Sequence, residues 1–327
     1  MIYIRATGNI SPQQTFGPAP FLMDPVEVTG NRMTCIEPDY QTLIDGKLIR
    51  RMSRIIKMGV AAAMQCLKTA GVAVPDAVIT GTAYGCLHDT EVFLTRIITN
   101  NEEVLAPTAF IQSTHNTVGA QIAVMLQCQG YNNTFVHRGS SFESALLDGM
   151  MLLSDNPDSH VLIGAVHEIT DTSHLLLQRM GLYRQGTIAG EGAAFFLLTG
   201  QPSPTDHARL EAITTFYNPD GPTAIAQSIS SFLASRSIDT RDIDLVITGR
   251  NGDDKNDRVY DQLQQSVLKG PSQVNYKHLC GEYPTSTGFA LWMAATILQT
   301  TQMPAVRRIL IYNNYHKYHS LLLVAAC

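Results

Sequence analysis

Apolar residues recur at helical spacing from Leu48 to Ala70, where Met52, Ile55, Ile56, Val60, Ala63, Leu67 and Ala70 would share one face. Gly71 follows as a stop, because glycine accepts the left-handed backbone that ends a helix. The next pattern differs. Ala77-Val78-Ile79-Thr80-Gly81-Thr82 is a short apolar run closed by a glycine-containing turn, the mark of a buried strand. These two signatures then alternate. Strands are predicted at Met1–Thr7, Thr134–Val136, Val161–Val166 and Gly192–Leu198, and helices at about Asp89–Thr99 and Phe142–Leu153. Ser113-Thr114-His115-Asn116 is expected to open a further helix, with Val118, Ile122, Val124, Met125 and Leu126 on its apolar surface. The segment from Ser11 to about Tyr40, broken by proline and glycine, reads as loop.

The alternation resumes after a polar, proline-bearing stretch, Gly200–His207. It predicts strands at Leu210–Phe216 and Asp244–Thr248, helices at Ala224–Ala234, Asp257–Leu268 and Thr285–Leu298, and a closing hairpin of Ile309–Tyr312 and Leu321–Ala325. Strands interleaved with helices argue for α/β layers. Gly200–His207 is too short for a free linker, so residues 1–203 and 204–327 are expected as two halves packed into one body.

Composition narrows the function classes. The chain of 327 residues is 45% hydrophobic, with net charge −5 and no basic stripe, so nucleic acid and anionic membrane are not expected as partners. The cysteines Cys35, Cys66, Cys86, Cys128, Cys280 and Cys327 are scattered, without a C-x-x-C pair or zinc spacing, and Cys66 and Cys128 sit among apolar neighbours. No stretch reaches the roughly 20 apolar residues of a membrane span, and the start lacks a signal peptide's charged and apolar regions. A cytoplasmic protein without metal or organic cofactor is expected.

Three stretches carry a resemblance. Ser53-Arg54-Ile55-Ile56-Lys57-Met58, running to Ala70-Gly71, precedes Gly81-Thr82-Ala83-Tyr84-Gly85 with Asp89-Thr90-Glu91; then comes Pro107 to Ile122, containing Ser113-Thr114-His115-Asn116-Thr117-Val118-Gly119. In order and spacing they resemble the β-ketoacyl synthase family. The last is similar to the S-V-H-N-A-x-x-G segment of ketosynthase-like proteins found with aryl polyene and flexirubin pigment pathways. The resemblance implies a thiolase-like fold, two related α/β halves in a layered αβαβα arrangement, usually dimeric. It also implies that the helix after Asn116 lies near a dimer interface and an acyl tunnel, which makes Phe110, Gln112, Thr114, His115, Asn116 and Met125 candidate wall residues.

Condensation in this family uses a cysteine thiolate at a helix N-terminus and two histidines that assist decarboxylation and stabilise the enolate oxygen. By the family's spacing the cysteine position falls on Gly139, with Ser140 the nearest alternative, and no cysteine lies between Cys128 and Cys280. The first histidine belongs to a motif resembling H-G-T-x-T-x-x-x-D; here Gly249 takes its place and Asp257 keeps the aspartate. The second belongs to K-x-x-x-G-H, which here runs from Lys277 to Glu282, a carboxylate replacing the imidazole. Bulky residues, Asn313 to His319, replace the small ones of the family's closing glycine-rich turn, so the reaction chamber is expected to be partly filled.

Other readings of these residues stand beside this one. Ser140 and Ser141 at a helix start fit capping, though a serine nucleophile with His137 as base is the alternative. His115 and Asn116 are expected to satisfy backbone groups at a helix start rather than to act in a tunnel. Glu168 reads as a structural hydrogen-bonding group, and Lys277 with Glu282 as a buried pair in a former active site. Cys280 would be a relocated nucleophile only with His278, His316 or His319 as base.

The leading expectation is a chain-length-factor-like subunit without independent activity. It would pair with a catalytic ketosynthase and shape the tunnel in which an acyl carrier protein-bound chain grows, in aryl polyene or flexirubin-type pigment synthesis. The alternatives are an acyl-thioester transferase or hydrolase with a relocated nucleophile, and a homodimeric pathway scaffold.

Overall fold

The computed structural model describes residues 1–17, 24–27, 30–103, 105, 107–300 and 306–327. From the N-terminus, β1 (Ile2–Ile10) leads through α1 (Gly46–Ile49) and α2 (Arg54–Ala70) to β2 (Ala77–Gly81). Then come α3 (Leu87–Thr99), α4 (Pro107–Gln112), α5 (Thr117–Leu126), β3 (Tyr131–Phe135), α6 (Ser141–Asp155), β4 (Val161–His167), α7 (Asp171–Arg179) and β5 (Gly192–Thr199). The second half runs β6 (Ala208–Tyr217), α8 (Gly221–Ala234), β7 (Leu245–Thr248), α9 (Asp254–Gln265), β8 (Ser272–Asn275), α10 (Lys277–Cys280), α11 (Thr287–Gln299), β9 (Arg308–Tyr315) and β10 (Tyr318–Ala325).

The strands order as β3-β2-β4-β5-β1-β6-β10-β9-β7-β8. The order is palindromic: β3, β2 and β4 run parallel with β5 and β1 antiparallel beside them, and β8, β7, β9, β10 and β6 repeat that pattern. The half-sheets join only where Ile2, Tyr3 and Ile4 pair with Leu210, Arg209 and Ala208. The duplication is therefore written in topology, although no repeat is visible in sequence.

Helices fill both outer faces and the space between the half-sheets. Phe142 and Leu146 of α6 pack with Phe289 and Trp292 of α11, between Ile163 of the first half-sheet and Ile311 of the second. On the first outer face α2 buries Ile55, Ile56, Val60 and Ala63 against Val78, Leu162 and Leu197. On the second, Ile229 of α8 and Leu263 of α9 cover Val246 and Leu310. Strands covered on both faces read as unbroken apolar runs, and β2, β4 and β5 are buried throughout.

The long helix predicted from Leu48 is interrupted. Ser53 is extended, and the chain restarts at Arg54; that break puts the Arg54 guanidinium where it reaches Glu37 and Glu191. Gly71 does end the helix in the left-handed region, with φ 68°. The helix expected to open at Ser113–Asn116 begins at Thr117 and follows the short α4. Neither α7 nor β8 was foreseen, because β8 (Ser-Gln-Val-Asn) carries a single apolar residue and α7 leaves Leu175 and Leu176 exposed. Part of the predicted loop from Ser11 to Tyr40 lies outside the described residues. Among the described residues no helix is long and apolar enough to cross a membrane.

Candidate active-site region

β3 reaches α6 through a tight turn, Arg138–Ser140, in which Arg138 takes the left-handed φ of 51° that side-chain-bearing residues rarely adopt. The turn presents Gly139 inward, buried. A Cβ on Gly139 would stand 2.9 Å from the Cβ atoms of both Tyr315 and Tyr318, closer than unbonded carbons tolerate. These tyrosines flank the β9–β10 hairpin turn. Tyr315 is also held by a 3.3 Å hydroxyl contact with Tyr84. The bulky closing turn and the absent side chain at Gly139 fit each other.

The two serines behave differently. Ser141 donates to the Arg138 carbonyl at 2.7 Å and accepts the His137 backbone N–H at 2.9 Å, closing the turn. Ser140 occupies the N-cap position without a side-chain cap bond, and Ser141 ties the turn rather than the helix N–H groups, so the capping expected of the two serines is not observed. The exposed His137 imidazole meets Ser144 Oγ at 3.1 Å, and neither Ser140 nor Ser141 pairs with it.

At the end of β7 the space beside Gly249 is equally taken. A Cβ there would meet Asn313 Oδ1 at 2.5 Å and the Tyr260 hydroxyl at 2.8 Å. The loop that follows is organised by Asp257, which accepts the N–H groups of Asn251 (3.1 Å) and Gly252 (3.2 Å), while Asp253 caps α9 through Lys255 and Asn256.

Lys277 and Glu282 meet in the interior. The ammonium donates to both carboxylate oxygens at 2.9 and 3.0 Å and to the Asn314 carbonyl at 2.8 Å. Its three hydrogens are all used. Asn251 Nδ2 donates to Glu282 Oε2 at 2.6 Å, tying the β7 loop to the pair. Burial pushes the Glu282 carboxyl up, while Lys277 and Asn251 pull it the other way. Around the pair, Tyr276 and Tyr260 donate to Asn313 and Asn314, and Asn313 donates to Thr287.

No poised base accompanies these groups. Burial lowers the His167, His316 and His319 imidazoles to about 4, which leaves them neutral at pH 7. His319 Nδ1 lies 2.9 Å from the Tyr312 hydroxyl. Cys280 is fully buried, its thiol raised by that burial, and it donates to the Gly281 carbonyl at 3.4 Å, with Tyr283 also against it. His278, His316 and His319 do not reach it. Among the described residues no cluster of His, Cys, Asp or Glu could hold a metal ion.

The sequence marks Gly190-Glu191-Gly192-Ala193-Ala194 as the entry to a buried strand, resembling the family's E-G-A motif, but does not reveal the charge pairing of Glu191. Glu191 is fully buried and receives Arg54 at 2.7 and 2.5 Å, together with the N–H groups of Cys35 (2.9 Å) and Ile169 (3.0 Å). The available signal was a charge set between Gly190 and Gly192 at the head of a buried strand. Glu168 accepts the His88 N–H at 3.1 Å, and burial raises it to about 7.

The candidate wall residues lie on α4 and α5, apart from the Lys277–Glu282 pair. Phe110 is exposed, its ring 5.3 Å from Phe93, and Ile111 of α4 and Val124 of α5 are exposed too. Gln112 donates to the Arg51 carbonyl. The Thr114 and Thr117 hydroxyls donate to the Ile111 carbonyl at the end of α4, and Thr117 also to the Thr114 carbonyl; the exposed side chains of His115 and Asn116 make no capping bond to α5, contrary to expectation. His115 instead packs over Gly85, where an added Cβ would meet its ring at 3.0 Å. Met125 is half-buried against the outer core. On the opposite flank a cleft of about 410 Å³ is lined by Arg184, Lys255, His316 and Lys317, with Asn251 and Asn314 leading to the buried pair.

Two α/β halves of matching strand order, layered around a central pair of helices, define the thiolase-like class of α/β protein. Within it, residues 38–184 match the family described as "Beta-ketoacyl synthase, N-terminal domain", and the chain has the ketosynthase-like fold. The ishigamide ketosynthase/chain length factor is similar over 100% of this chain and 99% of that one, with TM-score 0.81 and 17% identity. AntDE:AntF, a type II polyketide synthase acyl-carrier protein complexed with its ketosynthase, gives TM-score 0.79 at 14% identity, covering 100% and 99%. The ketosynthase ApeO with its chain length factor ApeC, from Xenorhabdus doucetiae, gives 0.75 at 15%, covering 100% and 98%. No curated protein sequence matches the chain.

Proposed function

We propose that this protein is a non-catalytic, chain-length-factor-type subunit that pairs with an active ketosynthase and shapes the tunnel for a growing polyketide or polyene chain. One observation carries the reading: each position where the family places a catalytic group is sterically or electrostatically closed. Tyr315 and Tyr318 crowd Gly139, Asn313 and Tyr260 crowd Gly249, and Lys277 neutralises Glu282. Three closures at separate positions, two of them built on β9 and one on α10, argue against a damaged enzyme and for a protein whose role is its shape. The likeness to ketosynthase/chain length factor assemblies supports the same reading.

In this reading the exposed Phe110, Ile111 and Val124 face the partner ketosynthase, and the basic cleft beside the β9–β10 turn receives the acyl carrier protein side. A cytoplasmic site and an aryl polyene or flexirubin-type product are part of the proposal, the product resting on the Ser113–Gly119 motif. Co-expression with a ketosynthase that keeps its cysteine and two histidines tests it. The expected result is co-purification at the mass of a one-to-one complex, with acyl label only on the partner. Label on Ser140, Ser141 or Cys280, or a self-dimer that ignores the ketosynthase, would overturn it.

A further inference from the structure

Glu143 lies in the first turn of α6, between the half-sheets, and is 0% exposed. Neither carboxyl oxygen has a hydrogen-bond partner. The half-sheet beneath α6 contributes apolar Ile79, Ile163 and Ala165 to the same core. The polar groups against the carboxyl come from the other half: the hydroxyls of Thr287 on α11 and Ser320 on β10, and the Lys277 ammonium. Thr287 Oγ1 already accepts Asn313 Nδ2, and Ser320 Oγ is itself unpartnered.

Among the described residues Lys277 is the cation facing this carboxyl, and its three hydrogens are spent on Glu282 and Asn314. Of the other titratable groups nearby, Glu282 is engaged with Lys277, His167 at the end of β4 is neutral at pH 7, and Arg138 in the preceding turn is exposed. An ionised Glu143 would therefore be a dry charge with no cation free to pair with it, and only the hydroxyls of Thr287 and Ser320 to turn toward it. Such a group gives up its charge rather than bear the desolvation. We propose that Glu143 is stored as a neutral carboxylic acid, a proton-dependent latch between the two half-sheets that releases when it ionises.

The neutral acid has a hydroxyl hydrogen to give, and Ser320 Oγ across the joint is the acceptor without a partner. Ionisation removes that hydrogen and leaves between α6 and β10 a buried charge without a cation of its own, met by hydroxyls alone. Burial raises the pKa of this carboxyl, so the folded state keeps a proton the unfolded chain has released. The stabilisation is complete below the ordinary glutamate pKa and is lost as pH rises through the folded value. Glu168, raised to about 7, acts with the same sign and is the control.

This inference does not depend on the proposed function. Infrared difference spectra of wild type against Glu143→Gln at neutral pH should contain the carbonyl stretch of a protonated carboxyl, absent from the variant. Denaturant titrations should show the wild-type folding constant falling at least ~10-fold relative to Glu143→Gln between about pH 6 and about pH 9. Glu168→Gln should leave that relative fall in place. If Glu143→Gln does not fold, alkaline titration of the wild-type band, beside that of Glu168→Gln, decides. No protonated-carboxyl band beyond that of Glu168, or parallel stability profiles for wild type and Glu143→Gln, would overturn the latch.

Discussion

Gly139 and Tyr315 are complementary: a methyl group on the one would come within 2.9 Å of the Cβ of the other. The glycine is what lets the hairpin turn close over the start of α6, so a nucleophile cannot be restored by one substitution. Gly139→Cys should lower stability by about 1–3 kcal/mol, the usual cost of overpacking, and should yield no fast-reacting thiol. Gly139→Cys with Tyr315→Ala should recover part of the loss. Urea midpoints and thiol titration on the three proteins check this; a Gly139→Cys protein as stable as wild type would show that the turn yields freely.

The Lys277–Glu282 pair gives a different signature. Removing one partner strands the other charge in the interior, which typically costs about 3–5 kcal/mol, whereas replacing both with apolar residues is often close to neutral. Lys277→Met and Glu282→Gln are expected to destabilise strongly. The double replacement Lys277→Met/Glu282→Leu is expected to be more stable than Lys277→Met alone, though Asn251 and the Asn314 carbonyl lose their partners and keep it below wild type. A double-mutant cycle with no coupling would contradict the pairing.

Much of this was readable beforehand, for a physical reason. Strands such as Ala77–Gly81 and Val161–His167 are buried on both faces, so their apolar runs announce them. Gly71 and Asp257 act through local backbone geometry and were equally legible. What escaped depends on distant partners. Glu191 makes sense only once Arg54, 137 residues away, is brought to it, and Glu143 is an ordinary helical glutamate until the second half buries it. His115 and Asn116 were misjudged because the turn from α4 into α5 is tied by Thr114 and Thr117 donating to the Ile111 carbonyl, and the start of α5 has no side-chain cap.

The exposed apolar residues of α4 and α5 can be tested without disturbing the core. Phe110 is 56% and Val124 72% exposed, so Phe110→Asp and Val124→Asp should each change stability by no more than about 0.5 kcal/mol. Under the proposed pairing the double variant should fail to co-purify with the ketosynthase while remaining folded by circular dichroism. Retention of the complex would move the interface elsewhere.

The acid limb of stability should carry the mark of buried neutral histidines. His167 is the clearest: 2% exposed, stacked on Tyr283 at 5.6 Å, its Nε2 without a partner, and its pKa lowered to about 4 by burial. Between about 4 and the ordinary histidine value near 6.5, the unfolded chain binds a proton that the folded chain refuses, so stability rises with pH across that window and is lost as pH falls through it. His167→Phe keeps the ring stacking and removes the titrating group. The variant should match wild type closely at about pH 8 and become relatively more stable toward about pH 4, because the slope of about 1.4 kcal/mol per pH unit for one proton disappears. Denaturant titrations at several pH values measure that difference; a variant whose stability tracks wild type throughout would mean that His167 takes up its proton without cost, and that its unpartnered nitrogen finds an acceptor in the folded protein.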